Sequence, residues 1–328
     1  MPEIVDAYSH ILPPAVYERL VEVHPHDEVT NLETATHLMS VENRLADMAD
    51  FGVDRQVLTL AHPPIWEGLP EDDALDVMRL ANDEVARIAE AHPDSFIPVA
   101  TVPRLTGDFV DEVHRAVDDL GMVGVQTFTN VEGQLLDAPE FDDFYAAMND
   151  ADVPLWIHPQ LYRWHDFASE DTWLYKALGW PFDTTVALAR LVFNGVMDRH
   201  ENLRVVSHHT GGFLPFVDER IRSFYQSRSE DPELYVGSVR DLAEPIDAYF
   251  GRIYGDTAVS SRGKQLTLRC GYEFFGPDNL LFGADYPFGP SGGRYWLRET
   301  IPAVEAMEVP EADRDAVLGG NLLELVGA

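Results

Sequence analysis

The chain has 328 residues, 45% of them hydrophobic, and sets 57 acidic against 23 basic side chains for a formal net charge of −34. Its length allows two average domains or one (β/α)8 barrel, a fold of ~250 residues that tolerates insertions to beyond 400. The charge argues against nucleic acid and anionic membranes as partners, the lone Cys270 excludes an internal disulfide or a cysteine-built metal site, and no apolar run approaches the ~20 residues of a membrane helix.

The amino-terminal MPEIVDAYSH lacks a basic region and a following apolar segment, so no signal peptide is expected and a cytoplasmic location is. Lysine stands only at Lys176 and Lys264; every other basic residue is arginine. The acidic residues spread through all the helical regions, which reads as surface adaptation and not as a cation-binding tail. Such self-repulsion is tolerable where salt screens it, the Debye length falling to ~3 Å at 1 M, so a high-salt cytosol is expected.

In chain order, Glu3 to His10 reads as a first strand with Tyr8 and His10 on one face, because strand side chains alternate. An irregular, partly helical insertion follows to about residue 40. Val41 to Phe51 is a helix ended by Gly52, and Arg55 to Leu60 a second strand. A helix over 71–92 leads to a strand from Phe96 to Thr101, and a helix over 108–120 to a strand from Met122 to Thr127. After a helix at 139–151, Val153 to His158 is the fifth strand. The segment 160–178 is an aromatic-rich insertion (Tyr162, Trp164, Phe167, Trp173, Tyr175), followed by a helix from Pro181 to His200. Leu203 to Val206 is a buried strand that stops at His208 and His209; Gly211 and Gly212 turn the chain into a helix near Phe213. Ile253 to Thr257 and Asn279 to Asp285 complete eight strands, and helices near 293–308 and 311–327 close the chain.

Single buried strands alternating with helices predict a parallel sheet with helices outside, and eight units predict one closed (β/α)8 barrel spanning residues 1–328 as a single domain. An open doubly wound sheet competes, but no Gly-x-Gly-x-x-Gly follows the first strand. Closure would bring the polar strand ends Tyr8, His10, Gln126, His158, His209 and Asp285 to one face, where barrel active sites lie. Imidazoles plus a carboxylate with an open position for water suit a catalytic divalent metal such as zinc.

These residues also carry a resemblance. Asp6 to Pro13 (DAYSHILP), Trp156-Ile157-His158-Pro159, Pro181 to Gly195, the His209 segment, Leu281 to Phe288 (LFGADYPF) and Gly320-Asn321-Leu322 resemble the amidohydrolase-related decarboxylases. The resemblance implies His10, His158 and Asp285 as ligands of one divalent metal, usually zinc, with His209 and Asp285 catalytic. His209 is selected over His208 by ungapped counting from Leu214-Pro215-Phe216, which leaves His208 as a packing or supporting residue. It further implies Arg44 gripping a substrate carboxylate and Arg220 donated to a neighbouring subunit's site, hence a homodimer. Tyr8 and Trp180 complete the expected substrate contacts. One position departs from the pattern: Tyr8 stands where the family has the first histidine of His-x-His, and a phenol with pKa ~10 is a poor ligand. The expected activity is metal-dependent, non-oxidative decarboxylation of a small unsaturated or aromatic acid. The alternatives are a hydrolase of an ester, lactone, amide or C–C bond, and a non-catalytic small-molecule binder that lost its metal through Tyr8.

Overall fold

A computed structural model describes residues 2–24, 36–60, 66, 68–160, 174–230, 241–260, 263 and 265–328. Among the described residues, nine parallel strand segments form two hydrogen-bonded sets: β1 (Val5–Ile11), β2 (Arg55–Leu60) and β3 (Phe96–Pro98) in one, and β4 (Ala100–Thr101), β5 (Val125–Phe128), β8 (Leu155–His158), β9 (Val205–Ser207), β10 (Ile253–Asp256) and β11 (Leu280–Leu281) in the other. The small hairpin β6 (Asn130–Val131) and β7 (Gln134–Leu135) stands apart. Val99 separates β3 from β4, and its N–H donates to Leu58 O at 3.2 Å, so these two segments are one interrupted strand. Closure comes at the ends of the chain. The N–H groups of Ala7 and His10 donate to Phe282 O and Tyr286 O, both at 2.7 Å, so the stretch after β11 borders β1. Eight strands therefore make the closed barrel that the alternation predicts.

Two apolar sets follow from strand alternation, except that a register irregularity between Asp6 and Ser9 lets the adjacent Ala7 and Tyr8 join one set. Val5, Ala7, Tyr8, Val57, Ile97, Val99, Trp156, Val206 and Leu281 point inward and fill the barrel; Leu322 and Leu325 of the last helix, Asn321–Val326, join them. The Trp156 indole N–H donates to Ala7 O at 3.0 Å across this interior. Leu58, Leu155, Ile157 and Val205 belong to the larger cluster shared with the surrounding helices.

The helix from Val41 to Phe51 forms with the bounds the sequence predicts, because Ser40 Oγ accepts the Asn43 N–H and Gly52 ends it at φ +70°. The helix from Pro181 is shorter than expected. It spans Trp180–Phe193, and a new turn, Val196–Arg199, starts after Gly195 at φ +76°. A helix the sequence reading passed over, Leu266–Asn279, links β10 to β11; Gly276 and Pro277 inside it obscure the period. Of the aromatic insertion, Tyr162, Trp164, Phe167 and Trp173 lie outside the described residues.

Candidate metal centre and active site

Three strands deliver histidines to the carboxyl end of the barrel: His10 from β1, His158 as the last residue of β8, and His208 directly after β9. Each of the three offers a ring nitrogen, and these atoms lie within 4.8 Å of one another; all three residues are buried. Asp285, after β11, enters from the closing side. Its Oδ1 lies 3.2 Å from His10 Nε2 and 3.2 Å from His208 Nε2, and its Oδ2 3.6 Å from His209 Nε2.

The outer nitrogens of His10, His158 and His208 are all engaged. Thr59 Oγ1, whose own proton goes to Ser9 O, accepts from His10 Nδ1 at 2.9 Å. Pro159 O accepts from His158 Nδ1 at 2.7 Å, and Asp256 accepts from His208 Nδ1. Carbonyl, hydroxyl and carboxylate acceptors on Nδ1 fix the tautomer that turns Nε2 inward, which is how metal-ligating imidazoles are oriented. His10 Nε2 makes no aligned hydrogen bond despite its nearness to Asp285, and the Tyr8 hydroxyl is buried without a partner among the described residues. The donor set, its tautomers and these orphaned atoms fit a divalent cation.

The electrostatics of His10 and His158 agree. Burial holds His158 well below the usual imidazole range, helped by the neighbouring histidines, and burial likewise lowers His10. Neutral imidazoles are the form that ligates. Burial would lower His208 too, but Asp256 and Asp285 overcome it and raise the imidazole to about 10. Burial opposes ionisation of Asp285, yet hydrogen bonds from the surrounding histidines hold it well below the carboxylate norm. Backbone strain collects here as well: His209, Thr210 and Asp285 adopt φ of +53°, +56° and +57°, in the left-handed region that side chains rarely occupy. Gly212 is required where it stands, since at φ +68° an added Cβ would lie 2.1 Å from Pro181 O.

Outside the histidine cluster opens a cavity of about 740 Å³. Its walls include Trp180, Pro181, Phe288 and Trp296, its floor His158, His209 and Asp285, and Lys176 lies along its edge. The Trp180 ring stands edge-on to His158 (5.7 Å) and nearly parallel to His209 (6.3 Å, 18°), so it joins floor and wall.

The structure thus brings together His10, His158, His209, Asp285 and Trp180 from the sequence reading. It corrects others. Arg44 is fully buried behind β1. It donates to Ser9 Oγ at 3.0 Å, Gln56 Oε1 at 2.9 Å and the His10 carbonyl, so no part of its fork is offered to the cavity. Burial pushes this guanidinium down to about 10, and its work is to brace the strand that carries His10. Tyr8 is also fully buried and is absent from the cavity wall; its ring stacks on His208 instead. His208, read from sequence as a packing or supporting residue, points into the cluster. Arg220 lies away from its own cavity, on an apolar groove lined by Phe182, Phe213, Phe216 and Phe224. Lys176 and Asp256 were missed. Asp256 is the last residue of β10, one short of the end of the predicted strand from Ile253 to Thr257, and so carried a strand-end signal; Lys176 carried none beyond its rarity.

An eight-stranded parallel barrel with imidazoles and a carboxylate at the carboxyl ends of its strands is the architecture of a metal-assisted barrel enzyme. Residues 21–327 match the amidohydrolase family, and the chain belongs to it. It is 29% identical to a 2-amino-3-carboxymuconate-6-semialdehyde decarboxylase of Dictyostelium discoideum, over 87% of this chain and 76% of that protein. It is 28% identical to a gamma-resorcylate decarboxylase of a Rhizobium species, over 75% and 76%. Among solved structures, a 5-carboxyvanillate decarboxylase of Novosphingobium aromaticivorans, complexed with manganese and 4-hydroxy-3-methoxy-5-nitrobenzoic acid, superposes with a TM-score of 0.84. That match has 21% identity and covers 100% of this chain and 96% of that one. The last match speaks for the fold.

Proposed function

We propose that this protein is a divalent-metal-dependent, non-oxidative decarboxylase of a small aromatic or unsaturated carboxylic acid. The observation that carries the reading is the convergence of His10, His158 and His208, with Asp285 3.2 Å from both His10 and His208, beneath an aromatic-walled cavity that also holds His209. The names of the two curated relatives given above, both decarboxylases, support it. His10, His158 and Asp285 would hold the metal, and a mixed imidazole–carboxylate set suits zinc and manganese alike. When bound, the ion polarises a substrate oxygen and offsets its negative charge.

The chain's own groups do the rest. Trp180, Phe288 and Trp296 flank a planar substrate and keep water from it. Lys176 offers an ammonium to an anionic substituent at the cavity edge. His209 delivers a proton to the carbon bearing the carboxylate. That carbon's bond to the carboxyl then breaks, carbon dioxide leaves, and the electron pair stays with the conjugated system. Asp285 Oδ2, 3.6 Å from His209 Nε2, orients the imidazole toward the cavity.

The experiment is a product assay on metal-loaded protein with a panel of aromatic acids. Carbon dioxide is expected; a new carboxylic acid would mean a hydrolase. Purified protein holding less than about a tenth of an equivalent of metal, not restored by added zinc or manganese, would mean a binder. His209→Asn should lower kcat by about a hundredfold or more while metal content stays constant, and unchanged turnover would exclude the mechanism.

Two assembly and environment features belong to the same reading. Phe216 is 83% exposed beside Arg220, and a second subunit covering this groove would bury it and carry Arg220 toward the partner cavity. The charge of −34 suits a high-salt cytosol. Thermal stability should then rise from low to molar KCl, and equal or better stability at low salt would remove that inference. Among the described residues no helix is long and apolar enough to cross a membrane.

A further inference from the structure

We infer that His208 is itself a metal ligand, replacing the strand-one donor that Tyr8 cannot supply, so that the ion is held by three imidazoles (His10, His158, His208) and Asp285. The inference rests on the metal-dependent reading above and deepens it.

Four observations carry it. First, His208 is the shared member of both histidine-containing groups whose ligand atoms converge within 4.8 Å, one with His10 and His158 and one with His209 and Asp285. Second, it is completely buried, and its Nδ1 is committed to Asp256. That carboxylate is in turn fixed by the N–H groups of Thr210 and Ala258, each 3.1 Å from Oδ1. A carboxylate behind an imidazole turns the other ring nitrogen outward toward a metal and raises its basicity. A histidine present only for packing has no need of a buried, doubly anchored carboxylate.

Third, Tyr8 occupies the place from which the resemblance expects a ligand, but it offers a face, not an atom. Its ring lies 4.0 Å from the His208 ring at 18°, a stacked contact that fixes the plane of the imidazole. Its hydroxyl has no partner among the described residues. Fourth, His209 lines the cavity, whereas His208 lies behind it. Adjacent histidines thus divide two tasks: His208 faces the ion and His209 the substrate. The loss of one donor from β1 and the gain of another after β9 then belong together.

The test reads metal binding and leaves turnover aside. Apo-protein is loaded with Co(II) or Mn(II), and affinity is measured by competition with a chelator for wild type, His208→Asn, His209→Asn and Tyr8→Phe. We expect His208→Asn to weaken binding by about a hundredfold or more and to alter the visible Co(II) spectrum, with His209→Asn and Tyr8→Phe within about threefold of wild type. The double change Tyr8→His with His208→Ala, which moves the donor back to β1, should recover affinity lost in His208→Ala alone. Because His208→Asn could fail to fold, X-ray absorption at the metal edge of the wild-type holoprotein provides an independent reading, with three coordinated imidazoles expected. Two imidazoles, or unchanged affinity and spectrum in His208→Asn, would overturn the inference and leave the decarboxylase reading standing. Wild-type protein that takes up no metal would overturn both.

Discussion

The Tyr8 and His208 rings lie face to face, their centroids 4.0 Å apart and their planes within 18°. This contact locks the floor of the site to the barrel interior, because Tyr8 belongs to the inward-facing set with Val5, Ala7 and Trp156. It also sets two substitutions apart. Tyr8→Ala empties a fully buried aromatic site and should cost about 3–5 kcal/mol in denaturant unfolding of the apo-protein. Tyr8→Phe keeps the stack and removes a buried hydroxyl that has no partner among the described residues. Its stability should equal or exceed that of wild type, since an unsatisfied polar group is costly to bury. A Tyr8→Phe loss of about 2 kcal/mol or more would mean the hydroxyl is bonded after all.

Lys176 is the only lysine among the described residues, and its ammonium lies 5.6 Å from the Trp180 ring centroid at the edge of the cavity. It belongs to a π-helical segment, Tyr175–Gly179, a local distortion often met at functional sites. No carboxylate partner for it occurs among the described residues, although the chain is rich in acid. An anionic substrate approaching a protein of net charge −34 gains from such a group at the entrance. Lys176→Met should raise KM about three- to tenfold with kcat within about twofold, and Lys176→Arg should retain most of the affinity. The effect should shrink in molar KCl. An unchanged KM in low salt would show that the ammonium does not meet the substrate.

The barrel was legible because strand–helix alternation is a repeated signal: each buried run followed by an amphipathic helix adds evidence for the same answer. The placement of His10, His158 and Asp285 at one end of the barrel was legible for the same reason, since each stands at a predicted strand end. Arg44 was misplaced because a sequence match cannot tell an arginine reaching into a cavity from one folded back under the neighbouring strand. That choice is made by Ser9, Gln56 and the His10 carbonyl, which come from two other elements. The orientation of His208 was not legible, because the acceptor that sets it, Asp256, is 48 residues away on the next strand. The helix Leu266–Asn279 hid behind its own Gly276 and Pro277. Local pattern identifies elements; partners distant in sequence decide which way a side chain faces.

The apo-protein should be most stable near neutral pH, for reasons of opposite sign on the two sides. Burial lowers His10 and His158 below their ordinary 6.5, so these imidazoles stay neutral in the fold while the unfolded chain takes up protons. Their contribution is present above pH 6.5 and is lost as pH falls below it. His208 runs the other way: its folded value of about 10 exceeds 6.5, so its contribution is full below pH 6.5 and declines as pH rises toward 10. Melting the metal-free protein from pH 5 to 9 should therefore give a maximum in Tm, each kcal/mol lost lowering Tm by about 2 °C. His158→Asn should flatten the acid limb and His208→Asn the alkaline one. A metal-free wild type whose Tm rises steadily across the range would contradict the assignment for His208.

Arg220 and Phe216 together test whether the site is completed by a second copy. In its own chain the Arg220 guanidinium packs over the Phe224 ring at 4.8 Å, on the groove formed by the helices Trp180–Phe193 and Leu214–Glu230. Phe216 and Phe224 are 83% and 48% exposed there, an apolar patch that is costly to leave in water, and more so where high salt strengthens burial. If a twofold-related copy covers it, light scattering on wild type gives a dimer. Phe216→Glu, which places a desolvated charge in each half of an isologous interface, shifts the equilibrium to monomer. Arg220→Ala should then leave the dimer intact and lower kcat/KM by about tenfold or more, because it removes a charged contact to a substrate carboxylate in the neighbouring cavity. A monomeric wild type with full activity would show that each cavity works alone and that Arg220 is an ordinary surface residue. A dimer that Phe216→Glu does not disturb would place the interface on another face of the barrel.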